Sequence, residues 1–400
     1  MMTATPVKDT KKKTAEPKPA GKGQAAILFT AFEPSGDAVA APVIKQLLKQ
    51  VPDLKIYAWG GPLMEEAGAS IVQRTAEDGA MGLNALAHIS SVYGELRRIK
   101  RWSNQYRVLA HVPVDAPAAN FPICRFMRKR GTRIIHLVAP QLWAWGRWRT
   151  SKLRKRTDLV LCLLPFEEQW FNDRKIPARF IGHPAINRPI DPVELKEHSH
   201  GLPQGTPRLA IFPGSRTHEV KMNLPLLLNV YNEMQSRQSS MSGLIVAANN
   251  DVAKIVRKKL KIFPTGLSMI VGQRDEAISW SDMNLCVSGT ITLHIARQRK
   301  AMVGVYKTDI PTWLLSKIFL RSKFVLLPNI IAEREIVPEF APHIGGGHVI
   351  ANSLSRFLQD SKNVANQSEE LQRVCNRFAN KRPAEEAANL IIKIIKDGKM

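Results

Sequence analysis

Four loops carry the residue types that could do chemistry in this 400-residue chain, two acidic and two built from small residues. Asp115 closes the apolar run 108–114 and precedes Ala116-Pro117. A carboxylate at the C-terminal edge of a parallel strand stands where general bases belong. A turn or capping aspartate leaves the same trace in the sequence, and both readings stand at this point. Glu33 and Asp37 lie in a loop after the apolar run 26–30. Glu33 is the reserve candidate for the base, and Asp37 is expected to cap the helix that follows.

The small-residue loops point to a phosphate. In Pro213-Gly214-Ser215-Arg216, Gly allows close backbone approach, Ser offers a hydroxyl, and Arg brings a fork that can grip phosphate through two bonds. Val287-Ser288-Gly289-Thr290 follows another apolar run and offers small residues and hydroxyls at a predicted helix start. Two such loops in one half of the chain predict a pyrophosphate site. Neither fits the Walker A pattern, and Gly-x-Gly-x-x-Gly is missing, so an NTPase or a dinucleotide enzyme is a poor reading. Further along, Asn329 could pair with a base or hydroxyl edge and Glu335 could accept from sugar hydroxyls, although the run 328–339 also reads as a solvated helix start. Trp143 and Trp145, beside basic residues, could form an acceptor platform or pack in a core. His183 in Gly182-His183-Pro184 reads as a structural histidine that could still reach a cleft, and His136 as a core histidine.

These loops need elements to hold them. Apolar runs at 26–30, 55–59, 108–114, 133–138, 158–164 and 178–181 read as strands in the first half. Those at 208–212, 243–248, 268–271, 283–287, 301–306 and 324–327 do so in the second. Helical patterns at 38–50, 92–107, 119–130, 221–237, 251–260 and 310–319 separate many of them, the pattern of right-handed βαβ crossovers and parallel sheets. The expected fold is α/β, with two Rossmann-like doubly wound domains facing a central cleft. The domains are expected at 25–185 and 208–380, joined by a Pro-, Gly- and His-rich linker at 186–207. Residues 1–24 form a disordered basic tail, and 381–400 a C-terminal helix that could pack back on the first domain.

Composition narrows the partners. There are 58 Lys and Arg against 34 Asp and Glu, a formal charge of +24, and the excess persists beyond the tail. Such charge fits nucleic acid, an anionic membrane face or phosphorylated substrates. No helix-turn-helix, zinc-finger or RNP signature accompanies it, so no nucleic-acid partner is expected. The stretch 81–107 mixes Met81, Leu83, Leu86, Ile89, Val92, Tyr93, Leu96, Ile99 and Trp102 with Arg97, Arg98, Lys100 and Arg101. It reads either as an interfacial segment or as a core-packed helix with a solvated basic face. No apolar segment long enough for a secretory signal or a membrane span is present. Cys124, Cys162, Cys286 and Cys375 are widely spaced, and Cys162 and Cys286 read as buried free thiols.

Taken in order, many of these pieces resemble the lipid-A-disaccharide synthase family of GT-B glycosyltransferases. The resemblance rests on Glu33-x-Ser35-Gly36-Asp37, Gly60-Gly61-Pro62-Leu63-Met64, Met81-Gly82-Leu83, Asp115-Ala116-Pro117 and Pro140-Gln141-x-Trp143-Ala144-Trp145. It continues through Leu164-Pro165-Phe166-Glu167, Phe180-Ile181-Gly182-His183-Pro184, Pro213-Gly214-Ser215-Arg216, Ser288-Gly289-Thr290 and Leu327-Pro328-Asn329-Ile330-Ile331-Ala332-x-Arg334-Glu335, spanning residues 25–395. It implies transfer of diacylglucosamine from a UDP-acylated glucosamine donor to an acylated glucosamine 1-phosphate acceptor, with inversion and without metal or cofactor. Asp115 or Glu33 would be catalytic. Gly214, Ser215, Arg216, Ser288, Gly289, Thr290, His294, Asn329 and Glu335 would hold the donor, and Ser35, Trp143, Trp145 and His183 would lie on the acceptor side. The protein would work peripherally on the inner face of the cytoplasmic membrane, against an anionic surface. Several positions depart from the pattern, among them Val108-Leu109-Ala110, where the family tends to open the strand with an Asp. The family usually has Asp and Phe where Ala118 and Ala119 stand, and a Glu, expected on the donor ribose, where His294 stands. A divergent homologue that binds lipid or nucleotide without turnover is the alternative.

Overall fold

The structure is a computed structural model and describes residues 23–76, 85–144, 146–308 and 322–397. Trp145, Met81, Leu83, most of the basic tail and the helical pattern at 310–319 lie outside the described residues, as do the side chains of Leu86 and Ile89. The chain divides into two compact units. One comprises Met1–Pro140, Lys152–Leu161 and Ala387–Met400; the other comprises Gln141–Ser151 and Cys162–Glu386.

The first sheet has seven strands: β1 (Ala25–Ala31), β2 (Lys55–Gly60), β3 (Ser70–Arg74), β4 (Arg107–Val114), β5 (Arg133–Leu137), β6 (Leu159–Cys162) and β7 (Ala178–Phe180). Their order is β3-β2-β1-β4-β5-β6-β7. β1 and β4 are parallel neighbours, with Ala31 opposite Val114. Both are continuous apolar runs buried along nearly their whole length, as strands covered on both faces must be. The chain reverses its direction of winding between them, so their C-terminal ends form the crevice where such sheets bind ligands.

The second sheet repeats the plan with β8 (Arg208–Phe212), β9 (Ser242–Ala247), β10 (Leu267–Val271), β11 (Met283–Val287), β12 (Met302–Lys307) and β13 (Glu339–His343). Their order is β10-β9-β8-β11-β12-β13, and the switch falls between β8 and β11, where Phe212 is opposite Cys286.

Two edge strands were not expected. β3 alternates exposed and half-buried residues, and β13 is half-buried throughout, so neither shows the apolar run of a central strand. The run 324–327, expected as a strand, instead leads into the helix Leu327–Ala332. The N–H groups of Val325 and Leu326 donate to the Glu339 carboxylate, which takes the place of a neighbouring strand. The proposed linker begins inside one short helix, Pro184–Asn187, and holds a second, Pro192–Ser199.

The helix Ala85–Trp102 decides the earlier ambiguity for its described side chains. Val92, Leu96, Ile99 and Trp102, spaced as one helical stripe, are buried with Leu28, Ile123 and Met127. Trp102 also packs against Trp59, Tyr57 and Tyr106. This stripe is core, not an interfacial face. Among the described residues no helix is long and apolar enough to cross a membrane. Cys162 and Cys286 are buried and in no disulfide, and His136 is buried within β5.

Candidate active site

In the first unit the switch point brings the Glu33 and Asp115 loops to the ends of adjacent strands. Glu33 is the N-cap residue of the helix Pro34–Gln50, and its carbonyl accepts from the Gly36 and Asp37 amides. Ser35 is exposed in the first turn of that helix. Asp37 does not cap its own helix, contrary to expectation. It is buried and accepts from the amides of Gly61, Leu63 and Met64, capping the neighbouring helix Pro62–Glu66 and tying the β1 loop to the β2 loop.

Asp115 sits at a strained elbow. Asp115 and Ala116 have φ of 45° and 42°, two consecutive left-handed residues without a glycine. Such residues cost on the order of 1–3 kcal/mol each and persist only when their surroundings over-determine them. Asp115 N–H donates to Leu137 O (3.1 Å), and Asn120 Nδ2 donates to Asp115 O (2.8 Å) and Val114 O (3.3 Å). Asn120 Oδ1 in turn lies 2.6 Å from Thr30 Oγ1, which is 2.8 Å from His111 Nε2. Thr30, His111 and Asn120 are completely buried. No motif in the sequence announces these three residues. The available signal was a threonine and a histidine in the middle of apolar strands, where a polar group needs a partner.

The loops of the second unit are more exposed. Gly214 has φ +107°, which favours glycine, and Arg216 is the N-cap residue of the long helix Thr217–Arg237. The Arg216 side chain is 62% exposed and pairs with Glu219 at 3.0 Å. Across the switch, Ser288 N–H donates to Val305 O, and Gly289 and Thr290 are exposed. The exposed residues of the two loops carry backbone amides, hydroxyls and a guanidinium, a set suited to an anion.

Several expected site residues prove to be structural. Asn329 is fully buried with every amide bond taken: Oδ1 accepts from the Ile336 and Val337 amides, and Nδ2 donates to Val337 O and Glu339. It braces a loop and has no edge left for a donor. Trp143 is buried, donates to Glu167 at 3.0 Å and meets Phe166 edge to face, so its ring is core and no acceptor platform. His183 caps the helix Pro184–Asn187, its Nδ1 accepting from Ala185 N–H, and burial lowers its pKa to about 4. Glu335 is exposed and lines a cavity of about 280 Å³ with Arg334, Phe357 and Glu370. His294 lies one turn after Thr290 with its side chain 12% exposed, and its Nδ1 is 3.9 Å from Asp275. Asp275 is ion-paired to Arg297 at 2.8 Å. Burial first, then the nearby Arg274 charge, lowers the His294 pKa to about 3, so it is a neutral imidazole in a charged cluster.

Solved structures share this architecture at low sequence identity. S. aureus MnaA in a co-structure with UDP has a TM-score of 0.61 at 12% identity, covering 94% of this chain and 96% of that one. The glycotransferase of kitacinnamycin also scores 0.61, at 11% identity and 93% and 99% coverage. Two parallel-sheet Rossmann-like domains with such neighbours define the GT-B fold, and the protein is a glycosyltransferase. A family model for lipid-A-disaccharide synthetase matches residues 27–394. The lipid-A-disaccharide synthase of Solibacter usitatus is 30% identical over 378 residues, 94% of this chain and 98% of that protein. That of Pseudomonas putida KT2440 is 29% identical over 385 residues, 94% and 99% respectively. The chain belongs to the lipid-A-disaccharide synthase family.

Proposed function

We propose that the protein transfers 2,3-diacylglucosamine from UDP-2,3-diacylglucosamine to the 6-hydroxyl of 2,3-diacylglucosamine 1-phosphate. The products are β-1,6-linked lipid A disaccharide 1-phosphate and UDP. The family match over residues 27–394 carries this reading, with the acidic and anion-suited loops at the two switch points in support. Asp115 takes the proton of the 6-hydroxyl as its oxygen attacks the anomeric carbon from the face opposite the leaving group, which inverts that carbon. The bond from the anomeric carbon to the diphosphate oxygen breaks, and its electrons leave with UDP. Arg216 and the amides of the Gly214 and Gly289 loops receive that charge, so no metal is required.

Both substrates carry acyl chains, so the protein meets them at a bilayer, as a peripheral protein on the inner face of the cytoplasmic membrane. With the described stripe of 92–102 inside the core, the stretch 147–155 is the better support for attachment. Trp148 is 62% exposed there among Arg147, Arg149, Lys152, Arg154 and Lys155. From residue 116 to 157 the chain has eleven Lys and Arg and no acid. An exposed indole ringed by cations suits an anionic headgroup layer.

One experiment tests both parts. The protein is incubated with both substrates in anionic vesicles, disaccharide 1-phosphate is sought by mass spectrometry, and co-sedimentation is followed against salt. Product formation with salt-sensitive binding is expected. UDP binding without product would favour the non-catalytic alternative, which the departures at Ala118, Ala119 and His294 motivate. Sedimentation indifferent to anionic lipid would overturn the membrane reading.

A further inference from the structure

The buried polar chain behind Asp115 runs in one direction only. Asn120 faces two carbonyls, Val114 O and Asp115 O, so the atom turned to them must be the donor Nδ2 and the opposite atom Oδ1. Thr30 Oγ1, 2.6 Å from Oδ1, must therefore donate its only proton there. Its oxygen is then left to accept from His111 Nε2 at 2.8 Å, which fixes the Nε2–H tautomer. His111 Nδ1, buried and without a partner, is the bare nitrogen that this tautomer requires. Burial, reinforced by His136, lowers the His111 pKa to about 3, in keeping with a neutral ring. Each proton in the chain thus has one assignment.

The end of the chain is what gives it a purpose. Val114 O and Asp115 O belong to the two peptide planes that flank the Asp115 Cα. Asp115 N–H, in the first of those planes, is also tied to Leu137 O. Fixing both planes fixes φ and ψ of Asp115, and with them the direction of its Cα–Cβ bond. A buried polar chain is costly to leave partly satisfied and adds little stability over an apolar core. Its position directly behind a left-handed elbow points to control of geometry.

We propose that Asn120, oriented by Thr30 and His111, is the positioning residue that aims Asp115, an inference that rests on Asp115 being the general base. A base displaced by about 1 Å loses on the order of 100-fold in rate while substrate binding is spared. Thr30→Val removes the hydroxyl at nearly constant volume, Thr30→Ser keeps it, and Asn120→Ala removes the grip itself. The full-length variants and Asp115→Asn are compared by steady-state kinetics on both substrates in detergent micelles, with melting followed in parallel.

Thr30→Val and Asn120→Ala are expected to lower kcat by about 10- to 100-fold with donor KM within about twofold. Thr30→Ser should restore near-normal turnover, and adding Thr30→Val to Asp115→Asn should cost nothing more. Should Asn120→Ala fail to fold, the Thr30 pair decides alone. Folded Thr30→Val with normal kcat beside an inactive Asp115→Asn overturns the positioning role and spares the base. Equal losses in Thr30→Ser and Thr30→Val that track melting also overturn it, because they mark a merely structural role. Normal turnover in Asp115→Asn, or none in the wild type, removes the base and the inference together.

Discussion

The two switch points occupy the same place in the same kind of sheet and are built in opposite ways. At the first, an aspartate with positive φ is pinned by a completely buried chain of three side chains. At the second, Arg216 and Gly289 are exposed, and the guanidinium pairs at the surface with Glu219. A hydrogen-bond chain at low dielectric holds geometry stiffly, whereas an exposed ion pair contributes about 0–1 kcal/mol and yields easily. The contrast fits a division of labour. A proton-transfer group must be aimed before substrate arrives, while a diphosphate grip can close around its ligand.

The largest effect expected from this contrast is on donor binding. Arg216→Ala should weaken UDP binding by about 2–3 kcal/mol, ~30- to 150-fold, by calorimetry. The melting temperature should hardly move, because the Arg216 side chain is exposed and its pair with Glu219 lies at the surface. This is the reverse of the pattern at Thr30 and Asn120, where kcat changes and donor KM does not. Unchanged UDP affinity would remove Arg216 from the donor site, and a large fall in melting temperature would erase the contrast in stiffness.

Acid should loosen both units, each histidine by a smaller amount. Burial lowers His111 and His136 to about 3 in the first unit, and His183 to about 4 and His294 to about 3 in the second, from 6.5. Below pH 6.5 the unfolded chain takes up protons that the folded chain refuses. Their contribution to stability is therefore complete above pH 6.5 and is lost as pH falls toward 3–4. At pH 5 each histidine accounts for at most about 2 kcal/mol. Denaturant unfolding from pH 7.5 to 4.5 should show the decline. A flat profile would mean that these rings are not buried as neutral groups.

Most of the scaffold was legible because its central strands are continuous apolar runs, and β1, β4, β8 and β11 stand within a residue or two of where those runs predict. Asp115 and the glycine loops were legible too, since a small or acidic residue directly after such a run can only lie at the sheet edge. What escaped was the set of long-range partners. Thr30 and Asn120 are 90 residues apart, and no local pattern announces that they touch. Asn329 and Trp143 misled for the same reason. Their types suit a ligand, but partners at Val337, Glu339 and Glu167 use up their hydrogen bonds. Polar residue type states a capacity, and only the fold states what has claimed it.

The smallest effect separates the two regions through their glycines. A Cβ at Gly36 would stand 3.2 Å from Ala31 Cβ and 3.5 Å from Val114 Cγ1, both fixed on the paired strands β1 and β4. Gly36 lies in the first turn of Pro34–Gln50, where alanine would otherwise gain up to ~1 kcal/mol of helix propensity. Because neither strand can retreat easily, crowding should offset that gain, and Gly36→Ala should lose about 1 kcal/mol of stability. A Cβ at Gly289 would meet nothing within 4 Å. Gly289→Ala should therefore fold and melt as the wild type does. If the diphosphate approaches the Gly289 backbone as proposed, the added methyl should still raise donor KM several-fold, by about 1 kcal/mol. Melting curves and donor titrations on the two variants read both halves of the comparison. A stable Gly36→Ala beside a Gly289→Ala with wild-type donor affinity would mean that the first region is not tightly packed and that the second is not where the donor sits.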